Sequence, residues 1–183
     1  MRKSLFNFME LSGIIFCMIL VSLLRNLYVF LKGSTAGILF GSVNSSIWEQ
    51  LKPIILVYIM YGLAELMITR PYFRQFVCAK AIGVYVCVLV YILFSRIIPV
   101  EYSEPVTLAA LGIGFILSKT LTLWDKDISG FFSVACLMLL LIFIMYFSFS
   151  AFPPKLDLFL DKNSGMYGII PDYIDIGAHA LSG

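Results

Sequence analysis

An amide, two hydroxyls, an indole, a carboxylate and an ammonium group crowd into one short stretch, Asn44-Ser45-Ser46-Ile47-Trp48-Glu49-Gln50-Leu51-Lys52. Asn44, Trp48, Glu49 and Lys52 are candidate ligand-binding residues, since polar groups gathered at a helix entrance suit recognition of a small molecule. The same residues also have a structural reading. Ser46 followed three residues later by Glu49 is a capping box, and Lys52 falls on the same helical face as Glu49. On that reading a short interfacial helix is capped at Ser46, anchored at the membrane boundary by Trp48 and kinked at Pro53. Capping accounts for Ser46, Trp48 and part of Glu49, but it leaves Asn44 without a role.

Other ionisable residues lie within or close to apolar runs, where each is a functional candidate by default. Arg25 either snorkels outward or pairs with an acid such as Glu49, which adds it to the candidate binding set. Glu65, Lys80 and Lys119 form a second candidate group, an intramembrane charge cluster towards the other end of the spans. Acids and bases on facing helices are equally compatible with structural pairing. No catalytic residue, metal ligand set or cofactor is assigned. The lone histidine, His179, sits among Gly, Ala and Ser, and the four cysteines (Cys17, Cys78, Cys87 and Cys136) lie in apolar runs as small hydrophobes. Asp161-Lys162-Asn163-Ser164-Gly165 resembles the start of a calcium loop, but Gly at the sixth position and Glu at the twelfth are missing. The twelfth residue is Asp172, and a tight turn at 163–165 is the better reading.

The elements that position these groups follow from composition. Of 183 residues, 61% are hydrophobic and only 13% charged, about half the charge that covers a soluble domain. The net charge of +2 gives no reason to expect nucleic acid as a partner. The expected fold is an all-α, polytopic transmembrane bundle of about five spans, with an interfacial helix before the second span and an irregular C-terminal tail. Residues 1–152 form one helical domain, with spans near 11–31, 53–69, 76–98, 105–124 and 128–152. Pro71, Pro99, Pro105 and Pro153-Pro154 mark the limits. Residues 153–183 are expected to lie outside the cytoplasm and to pack on the bundle or the membrane surface. Arg2, Lys3, Arg70, Arg74 and Lys126 fall on one side, which puts the N-terminus in the cytoplasm and the C-terminus outside. Met1-Arg2-Lys3 and the following run read as a retained span, not a cleaved signal. Gly33, Gly37 and Gly41, four apart, are either loop glycines or the packing face of a short re-entrant segment.

Val43-Asn44-Ser45-Ser46-Ile47-Trp48-Glu49-Gln50-Leu51-Lys52 resembles the V-N-E-S-x-W-E-H-L-K signature of a family of small bacterial integral-membrane proteins without an assigned activity. Phe152-Pro153-Pro154, then Leu158-Phe159-Leu160-Asp161 and Tyr167-Gly168-Ile169, are similar to that family's tail pattern. The resemblance implies the architecture and no mechanism. Ser45 stands where the pattern has glutamate, and Gln50 where it has histidine. A Ser/Glu/Gln trio binds metal or moves protons far less readily than Glu/Glu/His, which favours recognition over catalysis.

The function expected is therefore non-enzymatic binding or transport of a small molecule at a polar extracytoplasmic site of a bacterial cell membrane protein. The alternatives are an accessory or assembly subunit of a membrane complex and, less well supported, an enzyme acting on a lipid-linked substrate. Five spans are few for a stand-alone transporter with paired repeats, so a homo-oligomer or a partner membrane subunit is expected.

Overall fold

In a computed structural model, which describes residues 3–170, five helices are long and apolar enough to cross a membrane. Arg2, Asp172 and His179 lie outside the described residues. The chain runs α1 (Lys3–Arg25), α2 (Leu27–Phe30), α3 (Thr35–Phe40), α4 (Ile47–Thr69), α5 (Phe73–Ile97), α6 (Ser103–Thr122) and α7 (Phe132–Ala151). The short α2–α3 segment precedes the second span. No strand is present among the described residues; the single extended pairing is an isolated bridge between Leu160 and Tyr167.

The first span starts well before residue 11, and α1 ends at Arg25, short of residue 31. The continuing apolar run Leu27-Tyr28-Val29-Phe30-Leu31 breaks away as α2, and the turn at Lys32 and Gly33 is left-handed (φ 47° and 77°). Glu10 thereby falls inside a span. The second span begins at Ile47 and not at Pro53, because the Ser46-capped turns are continuous with α4. Pro53 lacks an N–H for the carbonyl of Glu49, and Ser42 Oγ donates to that carbonyl instead, at 2.7 Å. Arg70 in the left-handed region closes α4.

Helix contacts are set by small residues and by tyrosines. A Cβ on Gly83 would stand 2.9 Å from the Gly114 carbonyl, and one on Gly114 would stand 3.0 Å from the Gly83 carbonyl. α5 and α6 therefore cross backbone to backbone, as small residues permit in membranes. The Tyr58 hydroxyl of α4 reaches this crossing and donates to Gly114 O at 3.0 Å. Tyr61 donates to Met9 O (2.6 Å), Tyr85 to Met138 O (2.9 Å) and Tyr146 to Leu39 O (2.8 Å), each tying one helix to another's backbone. Gly37 and Gly41 belong to packing: Cβ atoms there would meet the Tyr28 backbone at 2.9 and 2.8 Å, so α3 lies directly on α2. The outward faces, such as Leu137, Leu140 and Ile144 on α7, are apolar and exposed, as lipid contact requires.

Buried polar groups gather in two layers, one towards each end of the bundle. Glu10 and Arg25 mark them on α1, about 22 Å apart at 1.5 Å per residue.

Candidate functional site

The Arg25 layer is built from α1, α4, α5, α6 and the loop before α4. Ser46 caps α4 by accepting from Glu49 N at 3.3 Å. The reciprocal half of the capping box is not made. The Ser46 N–H is taken by Asn44 Oδ1 at 2.9 Å, so the Glu49 carboxylate is left free to turn elsewhere. Its Oε2 accepts from Val43 N at 3.0 Å and pairs with Lys52 Nζ at 2.8 Å. Lys52, with no exposed surface, also donates to Ile38 O at 3.0 Å and so holds the last turn of α3.

Asn44 and the tail meet directly. Asn44 Nδ2 donates to Gly168 O at 2.8 Å, and Ser45 N donates to Asp161 Oδ1 at 3.0 Å. The Asp161 carboxylate also accepts from Ser164 N and Ser164 Oγ, at 2.9 and 2.7 Å. It thus organises the turn that ends at Gly165, where φ is 68°. Trp48 is not a boundary anchor. It is 3% exposed because Phe149 of α7 and Phe159 of the tail close over it, with ring centroids 5.1 and 5.4 Å away. Its Nε1 has no hydrogen-bond partner.

Arg25 neither snorkels nor pairs with Glu49. Nη1 meets Glu104 Oε1 at 3.1 Å, and Nη2 donates to Thr107 Oγ1 (2.6 Å), Gln50 O (3.3 Å) and the Tyr91 hydroxyl (3.4 Å). Glu49 is unavailable because Lys52 sits one turn away on the same helix. Four of the five candidate binding residues therefore divide into two polar networks, and Trp48 joins neither. Asn44, Glu49 and Lys52 fasten loop, α3 and tail, whereas Arg25 joins α1 to α4, α5 and α6. Between the networks lies a narrow cleft with room for about one water molecule, lined by Ser45, Gln50, Tyr91, Ser95 and Ser103 among others. Both positions that depart from the resemblance, Ser45 and Gln50, open onto this cleft. Lys162, which donates to Ser95 O at 3.3 Å, lies at its edge.

In the second layer, Lys80 Nζ stands 2.7 Å from Glu65 Oε2 and 2.9 Å from Glu10 Oε1. Lys119 does not join this pair. The α6 phase turns Ser118 inward, where its Oγ donates to Glu10 Oε1 at 3.4 Å, and leaves Lys119 half-buried at the edge of a cleft beside Glu10. Glu10 was missed because it lies among the residues assigned to the approach to the first span. The signal that would have found it is the apolar helix continuing on both sides of it. Among the described residues, no group of three or more His, Cys, Asp or Glu side chains stands close enough to hold a metal ion.

A family model, described as "Family of unknown function (DUF6512)", matches residues 3–169. The chain belongs to that family. The match takes in both polar layers and the tail through Ile169. No curated protein and no solved structure matches the chain. Membership in DUF6512 and five membrane-length helices make this a multi-pass membrane protein in a lipid bilayer.

Proposed function

We propose that this protein binds or carries a small hydrogen-bonding molecule at the cleft between the loop before α4, α5 and the start of α6, without catalysing a reaction on it. The observation that carries this reading is the lining: Ser45, Gln50, Tyr91, Ser95 and Ser103, all residues with hydrogen-bonding side chains, beside the buried Arg25 guanidinium. These groups donate and accept hydrogen bonds but supply no general base. Glu49, the nearest buried carboxylate of the motif, is held by Lys52 and Val43 N, which supports recognition over acid–base chemistry. The Lys and Arg distribution supports an orientation with the cleft and tail outside the cytoplasm.

The test is native mass spectrometry of the protein purified in mild detergent, wild type against Gln50→Leu and Tyr91→Phe. A small-molecule adduct on the wild type that both variants lose supports the reading. Wild type without an adduct but with a stoichiometric membrane protein would replace it by an assembly role. Labelling of Ser164→Cys by an impermeant reagent only after lysis would overturn the orientation.

A further inference from the structure

The second polar layer holds more negative charge than its cation balances. Glu10 of α1, Glu65 of α4 and Lys80 of α5 are 2%, 0% and 6% exposed. One ammonium group stands between two carboxylates, at 2.9 and 2.7 Å. It is also enclosed by aromatic faces, 4.7 Å from the Phe115 centroid, 5.4 Å from Phe76 and 5.6 Å from Tyr58. These rings stabilise the charged lysine and add no positive charge of their own. With both carboxylates ionised, the triad would leave one net negative charge buried in a membrane span, which is strongly disfavoured. Beyond the ion pairs with Lys80, Glu10 Oε2 and both Glu65 carboxylate oxygens have no hydrogen-bond partner.

We propose that Glu10 and Glu65 together bind one exchangeable proton, making the triad a proton site inside the bilayer. A proton from water adds to one carboxylate and forms a neutral acid, and the other carboxylate remains the counter-ion of Lys80. Two acids sharing a site behave in this way because both cannot ionise at close range. Among the described side chains, the groups around the triad do not supply the missing positive charge. α1 adds Cys17, α4 adds Tyr58 and Tyr61, and α6 adds Ser118, which donates to Glu10. α7 contributes Leu139 to the cleft beside Lys80. The one further cation nearby among the described side chains, Lys119, is half-buried in a small cleft that it shares with Glu10, Leu11, Ile14 and Phe115. That cleft lies between α1 and α6 and borders Glu10 but not Glu65. This site lies at the opposite end of the bundle from the polar cleft and does not depend on it.

The experiment is infrared spectroscopy of the full chain in lipid nanodiscs, with the protonated-carboxyl C=O stretch followed against pH in H2O and D2O. Expected is one such band at neutral pH that shifts in D2O, disappears in alkali, and is lost in both Glu10→Gln and Glu65→Gln. Glu10→Asp, which keeps the carboxyl and the fold, should retain the band at a displaced frequency. A neutral-pH spectrum without the band overturns the proposal, as does a band that survives both glutamine variants. A band that appears only when sodium and potassium are removed also overturns it, by assigning the balancing charge to a metal cation.

Discussion

Asp161→Ala should release the tail from the bundle without unfolding the spans. The carboxylate is 2% exposed and accepts three hydrogen bonds, from Ser45 N, Ser164 N and Ser164 Oγ. The two from Ser164 are local to the turn and are partly replaced by water when lost. The one from Ser45 spans 116 residues of sequence and ties the loop before α4 to the tail. A hydrogen bond to a charged acceptor contributes about 1.5–3 kcal/mol, and leaving a buried N–H unpaired costs about 1–3 kcal/mol. Since these overlap, the loss of local stability is about 2–4 kcal/mol. Hydrogen exchange reads this at one amide. Ser45 should exchange about thirtyfold to a thousandfold faster in the variant, given about tenfold per 1.4 kcal/mol. Asp161→Asn, which keeps one acceptor oxygen, should fall between the variant and the wild type. Amides in the middle of α5 should be unchanged. Unaltered Ser45 protection in Asp161→Ala would refute the assignment of Asp161 as the tail's fastening.

Three other perturbations follow from the same contacts. Ser42→Ala leaves the Glu49 carbonyl unpaired and should cost about 1–2 kcal/mol, a penalty that should shrink in a Pro53→Ala background, where the restored N–H serves that carbonyl; additive thermal-stability losses would contradict this. Gly83→Ala should destabilise by about 1–3 kcal/mol, because its methyl meets the Tyr58 hydroxyl and the Gly114 carbonyl. Tyr58→Phe should rescue it only in part in a thermal melt, since the carbonyl contact remains. In the loop before α7, hydrogen bonds from Ser129 hold the Asp127 carboxyl below its usual range, and Asp127 Oδ1 accepts from Ser129 N at 2.8 Å. A depressed carboxylate stabilises above its unfolded pKa of about 4 and loses that contribution only as pH falls through its folded value. The Ser129 amide shift should therefore be flat near neutrality and move only in acid.

The spans were legible because a bilayer imposes length and apolarity on each helix separately. The Ser46 cap and the turn at 163–165 were legible for a similar reason, since each needs only neighbours within a few residues. The partners of Arg25 were not. Glu104 and Thr107 lie 79 and 82 residues away, and the sequence offered the nearer Glu49 instead. Trp48 read as a boundary anchor because indoles favour that depth, and only the tertiary arrival of Phe149 and Phe159 buries it. Lys119 and Ser118 differ by one helical step of about 100°, which turns the hydroxyl inward and the ammonium outward. Such a phase is decided by which face α6 turns to α1, a choice that α6's own sequence leaves open.

The bond from Asn44 to Gly168 joins residues 124 apart, which has a consequence for biosynthesis. The loop before α4 is made early, yet its partners emerge only after α7 has been synthesised. Throughout insertion, the Asn44 amide and the Ser45 N–H must be served by water, so that end of the young bundle remains hydrated. Arrival of the tail excludes this water and places Phe159 over Trp48 in the same movement. A chain interrupted before residue 159 would keep its spans but present a wet, uncovered tryptophan, a mark by which incomplete copies differ from finished ones.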